Sequence, residues 1–177
     1  MTPQEGFLVV LKLQLPTETL YNPRYKGLYR TPPFSMEKYA EGFDDPYVFG
    51  TYMDANGLIP DISLAQEVLQ RYTQIEPAGN LEIIYVHALE NAPLRPIQED
   101  GFQFLGFDIA TDRPFWSIVN DSPSPTDSRF ARFLDQLNEN GLFSSAKLAR
   151  DFLEAYLLHF QKDRDKGLKV WEVYRVL

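Results

Sequence analysis

Only two imidazoles are available for chemistry, His87 and His159, and they stand 72 positions apart, outside any H-x-x-x-H or H-E-x-x-H spacing. A helical histidine pair for zinc is therefore not formed. With no cysteine in the chain, thiolate nucleophiles, thiolate metal sites and disulfides are excluded. No glycine-rich phosphate loop, dinucleotide fingerprint or nucleophile elbow occurs. Asp44 and Asp45 are adjacent, and adjacent side chains of an extended chain point apart, so they do not make an acid-base pair. Asp108 sits inside an apolar run, where a carboxylate must be hydrogen-bonded or placed at a strand end. It is expected to cap the following turn through Thr111 or to pair with Arg113. His87 alternates in step with Leu81, Ile83, Tyr85 and Leu89, which predicts a hydrogen-bonded core or edge residue. No catalytic residue, metal or cofactor is assigned from the sequence.

Charge says more about partners. The 177-residue chain carries 25 acidic and 17 basic side chains, a net charge of -8. The excess gathers in residues 41–61, where Glu41, Asp44, Asp45, Asp54 and Asp61 have no Lys or Arg among them. Such a surface repels phosphate backbones, because nucleic-acid affinity comes chiefly from basic side chains releasing counterions. It attracts a basic protein instead. Tyr47 and Tyr52 lie among these acids, and aromatic anchors ringed by charge are what interfaces concentrate. Asp44, Asp45, Tyr47, Tyr52 and Asp54 are therefore the candidate binding residues. Upstream, Tyr21, Tyr25 and Tyr29 alternate with Arg24, Lys26 and Arg30; given the overall acidity they are expected to cover the core edge rather than stack on bases.

The elements that must position these residues follow from periodicity. Residues 7–15 predict a first strand ended by Pro16, and the proline-punctuated stretch 17–57 predicts short, irregular pieces. A helix is expected from Ser63, with Gln66 completing a capping box and Ala65, Val68, Leu69 and Tyr72 forming its apolar stripe. Residues 81–89 predict a central strand. Residues 101–120 predict a β-hairpin with a turn at Thr111 to Pro114. Its first arm would place Phe102, Phe104 and Asp108 on one side and Leu105, Phe107 and Ile109 on the other. Gly106 suggests a bulge or a close neighbour there. Two further helices are expected after Asp127 or Ser128 and after Ser144 or Ser145, the first stopped by Asn140-Gly141. Residues 169–176 predict a closing strand, and no internal repeat is expected.

These elements predict a single α+β domain over residues 1–177, with a mainly antiparallel sheet of five to six strands and three helices packed against it. No run approaches the ~20 apolar residues of a membrane helix, and the N-terminus lacks a basic signal region. A cytoplasmic protein with no membrane and no nucleic-acid partner is expected.

Gly106-Phe107-Asp108-Ile109, Ser117-Ile118-Val119-Asn120, and Leu137-Asn138-Glu139-Asn140-Gly141-Leu142-Phe143 precede a helix and a Trp/Tyr strand. Over residues 101–177 this resembles small uncharacterised bacterial proteins, some encoded beside polymorphic toxins as immunity proteins. The resemblance implies a cytoplasmic protein that neutralises a basic toxin or effector domain by direct contact, and it carries over no functional residue. The alternative from another class is a small-molecule-binding domain or small enzyme, with a pocket between sheet and helices that uses Asp108, His87 or Trp116.

Overall fold

The computed structural model describes residues 4–12, 29–30, 52–73, 81–90, 101–112, 117–121 and 128–177. They form an α+β structure with strands β1 (Glu5–Lys12), β2 (Tyr29–Arg30), β3 (Leu81–Ala88), β4 (Phe102–Ala110) and β5 (Lys169–Val176). The helices are α1 (Ile62–Tyr72), α2 (Ile118–Asp121), α3 (Ser128–Leu134) and α4 (Ala146–His159), and a 3-10 turn at Gln161–Lys166 leads into β5. The sheet order is β2-β1-β3-β5-β4, and every described pairing is antiparallel. β2 contributes two residues, so four long strands make up the sheet.

Paired residues of antiparallel strands share a face, so the register sorts the core. One face carries Phe7, Val9, Leu81, Ile83 and Tyr85, which pack with Ala65 and Val68 of α1. On the same face, at the other end of the sheet, Phe107, Ile109 and Val170 pack with Phe130 and Phe133 of α3 and with Phe152 and Tyr156 of α4. The opposite face buries Leu8, Val10, Ile84, Val86, Trp171 and Val173. The central position expected for residues 81–89 is observed, with all eight residues of β3 buried.

The hairpin is not formed. β4 pairs with β5, and residues 118–121 are helical. Strand propensity at Ile118 and Val119 is outweighed by packing, because Val119 is buried among the aromatics of α3 and α4. The expected face assignment of β4 also fails beyond Phe104, where the pairing register shifts between Phe104 and Gly106. The extra residue inverts the alternation downstream. Phe104 and Phe107 therefore share a face, with ring centroids 5.1 Å apart, and Asp108 lies on the opposite one, paired with Trp171. The N-cap of the first helix lies two residues before Ser63, at Asp61, whose side chain accepts from the Ser63 N–H at 2.7 Å, so the Ser63–Gln66 capping box is not the start of the helix. Ser145 caps α4 as expected, through the Leu148 N–H.

The structure also shows a repeat. The turn before α1 and the turn before α4 are built alike. Gly57 N–H donates to Asp54 O at 3.0 Å and Gly141 N–H to Asn138 O at 2.9 Å. Asp54 N–H donates to Leu58 O and Asn138 N–H to Leu142 O, each at 2.8 Å. The side chains of Asp54 and Asn138 each accept two further amides, from Asn56 and Leu58 and from Asn140 and Leu142 respectively. Gly57 and Gly141 are left-handed, with φ of 77° and 71°, which is why glycine stands at both. Each turn then clips a strand edge by reciprocal bonds at 2.8 and 2.9 Å, Phe7 with Ile59 and Phe107 with Phe143. The glycines before those phenylalanines make room for the turn: a Cβ on Gly6 or on Gly106 would stand 2.8 Å from the Cβ of Leu58 or Leu142.

Among the described residues each half of the chain thus contains one β-turn-α-β unit. The segments DANGLIPDISLAQEVLQRY (54–72) and NENGLFSSAKLARDFLEAY (138–156) align without a gap. Matching Phe7 to Phe107 makes Tyr85 equivalent to Glu172 and Val86 equivalent to Val173 through the strand registers. Val86 and Val173 pair with each other, so the halves are related by a pseudo-twofold axis through that pair.

Candidate functional site

Of the sequence-derived binding residues, Asp44, Asp45 and Tyr47 lie outside the described residues, as does Trp116. Tyr52 and Asp54 are placed beside α1. Asp54 is exposed, and its Oδ1 accepts the Asn56 and Leu58 amides at 2.8 and 2.9 Å. Tyr52 is partly buried against the α1 core, and its hydroxyl donates to Glu67 Oε1 at 2.6 Å. Arg71 Nη2 donates to the same oxygen at 2.8 Å, with its guanidinium 5.7 Å from the Tyr52 ring centroid. The two donors hold the Glu67 carboxyl below its ordinary pKa, the Tyr52 hydrogen bond first and Arg71 second. The same hydrogen bond to a carboxylate raises the Tyr52 phenol.

The enzyme reading needs Asp108 and His87 to converge, and they do not. Asp108 is 1% exposed, and its Oδ1 accepts from its neighbour Ile109 N–H at 2.7 Å and from Ser117 Oγ at 2.6 Å. His87 is buried on the other face, with Nδ1 3.0 Å from Glu172 Oε2. Glu5 and Glu172 are its cross-strand neighbours, and each accepts from a tyrosine: Tyr85 to Glu5 at 2.9 Å, Tyr174 to Glu172 at 3.0 Å. Burial and the adjacent Glu172 carboxylate push the Tyr174 phenol well above its ordinary value, so it stays a neutral donor at physiological pH. Among the described residues no cluster of three or more His, Asp or Glu side chains has the geometry to hold a metal ion, and no helix is long and apolar enough to cross a membrane.

Two features were not legible beforehand. An aromatic row crosses the sheet between α1 and α4, running Phe7, Tyr85, Tyr174, Phe104, with successive ring centroids 5.3, 6.2 and 5.2 Å apart. Its last ring, Phe104, is 45% exposed. The sequence signal for it was present but misassigned, because the bulge at Gly106 decides which face Phe104 takes. The second is an open groove of about 680 Å³ between α3 and α4. Phe133, Leu148, Ala155 and Leu158 line its walls, with Asp151 and Glu154 beside them. Its residues come from two elements that only the fold brings together.

Comparison of the chain with protein-family models, with curated proteins and with solved structures returns no match.

Proposed function

We propose that this chain is a binding protein that neutralises a basic toxin or effector domain by direct contact, in the manner of an immunity protein. The observation that carries the reading is the run of residues 41–61, which holds five acids and no base within a chain of net charge -8. Such a field steers a basic partner toward the surface and raises the association rate. Asp54 is an exposed member of that run. Two further facts support binding over catalysis. Asp108 and His87 lie on opposite faces of the sheet, and Phe104, an aromatic ring at the end of the row, is 45% exposed.

The test takes the product of the gene adjacent to that of this chain, where it encodes a basic toxin domain, and mixes the purified toxin domain with the chain in stopped-flow fluorescence. Asp44→Asn, Asp45→Asn and Asp54→Asn in combination should slow association about tenfold at low salt and flatten its salt dependence. Asn at position 54 keeps the turn, since Asn138 serves the same place in the second half. Unchanged association rates at every salt concentration would remove charge steering, and absence of any complex would remove the function.

A further inference from the structure

The pseudo-twofold relates two surfaces that ought to look alike and do not. In the first half, the face of α1 beside its preceding turn is filled by Tyr52 and Arg71, both hydrogen-bonded to Glu67. In the aligned second half, Gln136 stands for Tyr52, Asp151 for Glu67 and Ala155 for Arg71. The carboxylate is kept, while the ring and the cation are gone. Gln136 does not reach across; its Nε2 donates to Arg132 O at 2.6 Å. What remains is the groove of about 680 Å³ between α3 and α4.

Resting on the function proposed above, we infer that this groove is where the partner protein inserts an aromatic ring and a cationic side chain, in the places that Tyr52 and Arg71 fill in the first half. The walls suit that occupant. Phe133 and Ala155 offer an apolar seat, and Leu158, 62% exposed, forms a lip that a ring would cover. Asp151 aligns with Glu67, the carboxylate that accepts from the Tyr52 hydroxyl and the Arg71 guanidinium in the first half. It is held at present by Lys147 across one helical turn at 2.5 Å, with the Lys147 side chain 83% exposed. An exposed i,i+4 pair of this kind is weak and yields to a two-donor arrangement. Glu154 adds a second carboxylate at the groove. Arg132, stacked 4.6 Å from the Phe133 ring centroid, is already engaged by that ring. The partner is therefore a basic protein segment carrying Tyr and Arg, the chemistry that the overall charge also selects.

The probe is the dipeptide Tyr-Arg amide, titrated into the full chain while backbone amide resonances are followed by NMR, with Tyr-Glu amide as the control. Tyr-Arg should shift amides of residues 132–136 and 147–158, and Tyr-Glu should bind about tenfold more weakly, because the carboxylate would face Asp151 and Glu154. The double variant Gln136→Tyr/Ala155→Arg, which recreates the first-half arrangement in place, should raise the melting temperature and weaken probe binding at least about tenfold. Should that variant fold poorly, Asp151→Asn serves instead and should remove the preference for Tyr-Arg over Tyr-Glu. Equal binding of the two peptides, shifts centred elsewhere, or shifts that appear only on raising protein concentration, the mark of a second copy, would each overturn the groove assignment. The two proposals separate cleanly. Full affinity of the Gln136→Tyr/Ala155→Arg variant for the toxin domain removes the groove and leaves the function standing. Peptide binding without toxin binding does the reverse.

Discussion

Asp163 shows how a single charged residue can be buried safely. It is 3% exposed in the turn between α4 and β5, accepts from Tyr156 Oη at 2.7 Å, and lies 2.8 Å from Lys166 Nζ. Lys166 first, and the Tyr156 hydrogen bond second, hold its carboxyl below the ordinary aspartate value. A carboxylate whose folded pKa is depressed contributes stability that is complete above the unfolded value, about 3.9, and is lost as pH falls through the folded value. Asp163→Asn should therefore melt at a lower temperature than the wild type at pH 7, with the gap closing as pH drops below about 4. Calorimetric melts across that range check it; a gap that stays constant from neutral to strongly acid pH would mean that the charge contributes nothing. Asp112 is shifted the same way by Lys169 first and Gln4 second. It is exposed, however, so its pair is screened by solvent and adds little.

At the scale of elements, the turn before each long helix is the recurrent device. Asp54 and Asn138 each fold their side chain back onto two amides, and the loop that results clips the edge of a strand. Asp54→Ala leaves those amides without their acceptor and should cost about 1–2 kcal/mol, while Asp54→Asn should stay within about 0.5 kcal/mol of wild type. Urea denaturation of both variants checks the pair, and equal losses would show that the side-chain oxygen is not what matters. Helix starts and long strands were readable because capping residues and apolar periodicity act locally: Ser145 and residues 169–176 fell where expected. The hairpin was not readable, because β4 had two candidate partners. The nearer, at Ser117 to Asn120, lost to β5, which pairs with β4 along its whole length. Asn140-Gly141 illustrates the same limit. The left-handed glycine was anticipated, but it closes the clip around Asn138 rather than ending α3.

For the molecule as a whole, the pseudo-twofold through Val86 and Val173 places at its centre the two strands β3 and β5, each with a long strand on both sides. β3 is buried along its full length, and Val173 and Trp171 of β5 are at most 1% exposed. Cooperative units with the most buried backbone open only with the whole structure. Amides of β3 and of the facing part of β5 should thus exchange only by global unfolding, with those of β2 exchanging faster by at least about a hundredfold. Native-state hydrogen exchange decides this, and early exchange at Val86 or Val173 would show that the halves part before they unfold. The groove and the Tyr52 face are where the two halves depart from that axis. Duplicated scaffolds keep the residues that build the fold, such as Gly57 and Gly141, and are free to diverge at the surface.

The sequence by itself determined the fold class, the long helices and central strand, the absence of any thiol chemistry, and a net negative charge. Each of these rests on composition or on contacts a few residues apart. Which of the acids, aromatics and histidines meet was decided only by the tertiary structure. One bulge at Gly106 moves Phe104 and Asp108 to opposite faces. The strand order β1-β3-β5-β4 places the two halves about an axis that their linear spacing conceals. Long-range pairing has no local signature, because its stabilisation appears only once the intervening chain has been closed into place.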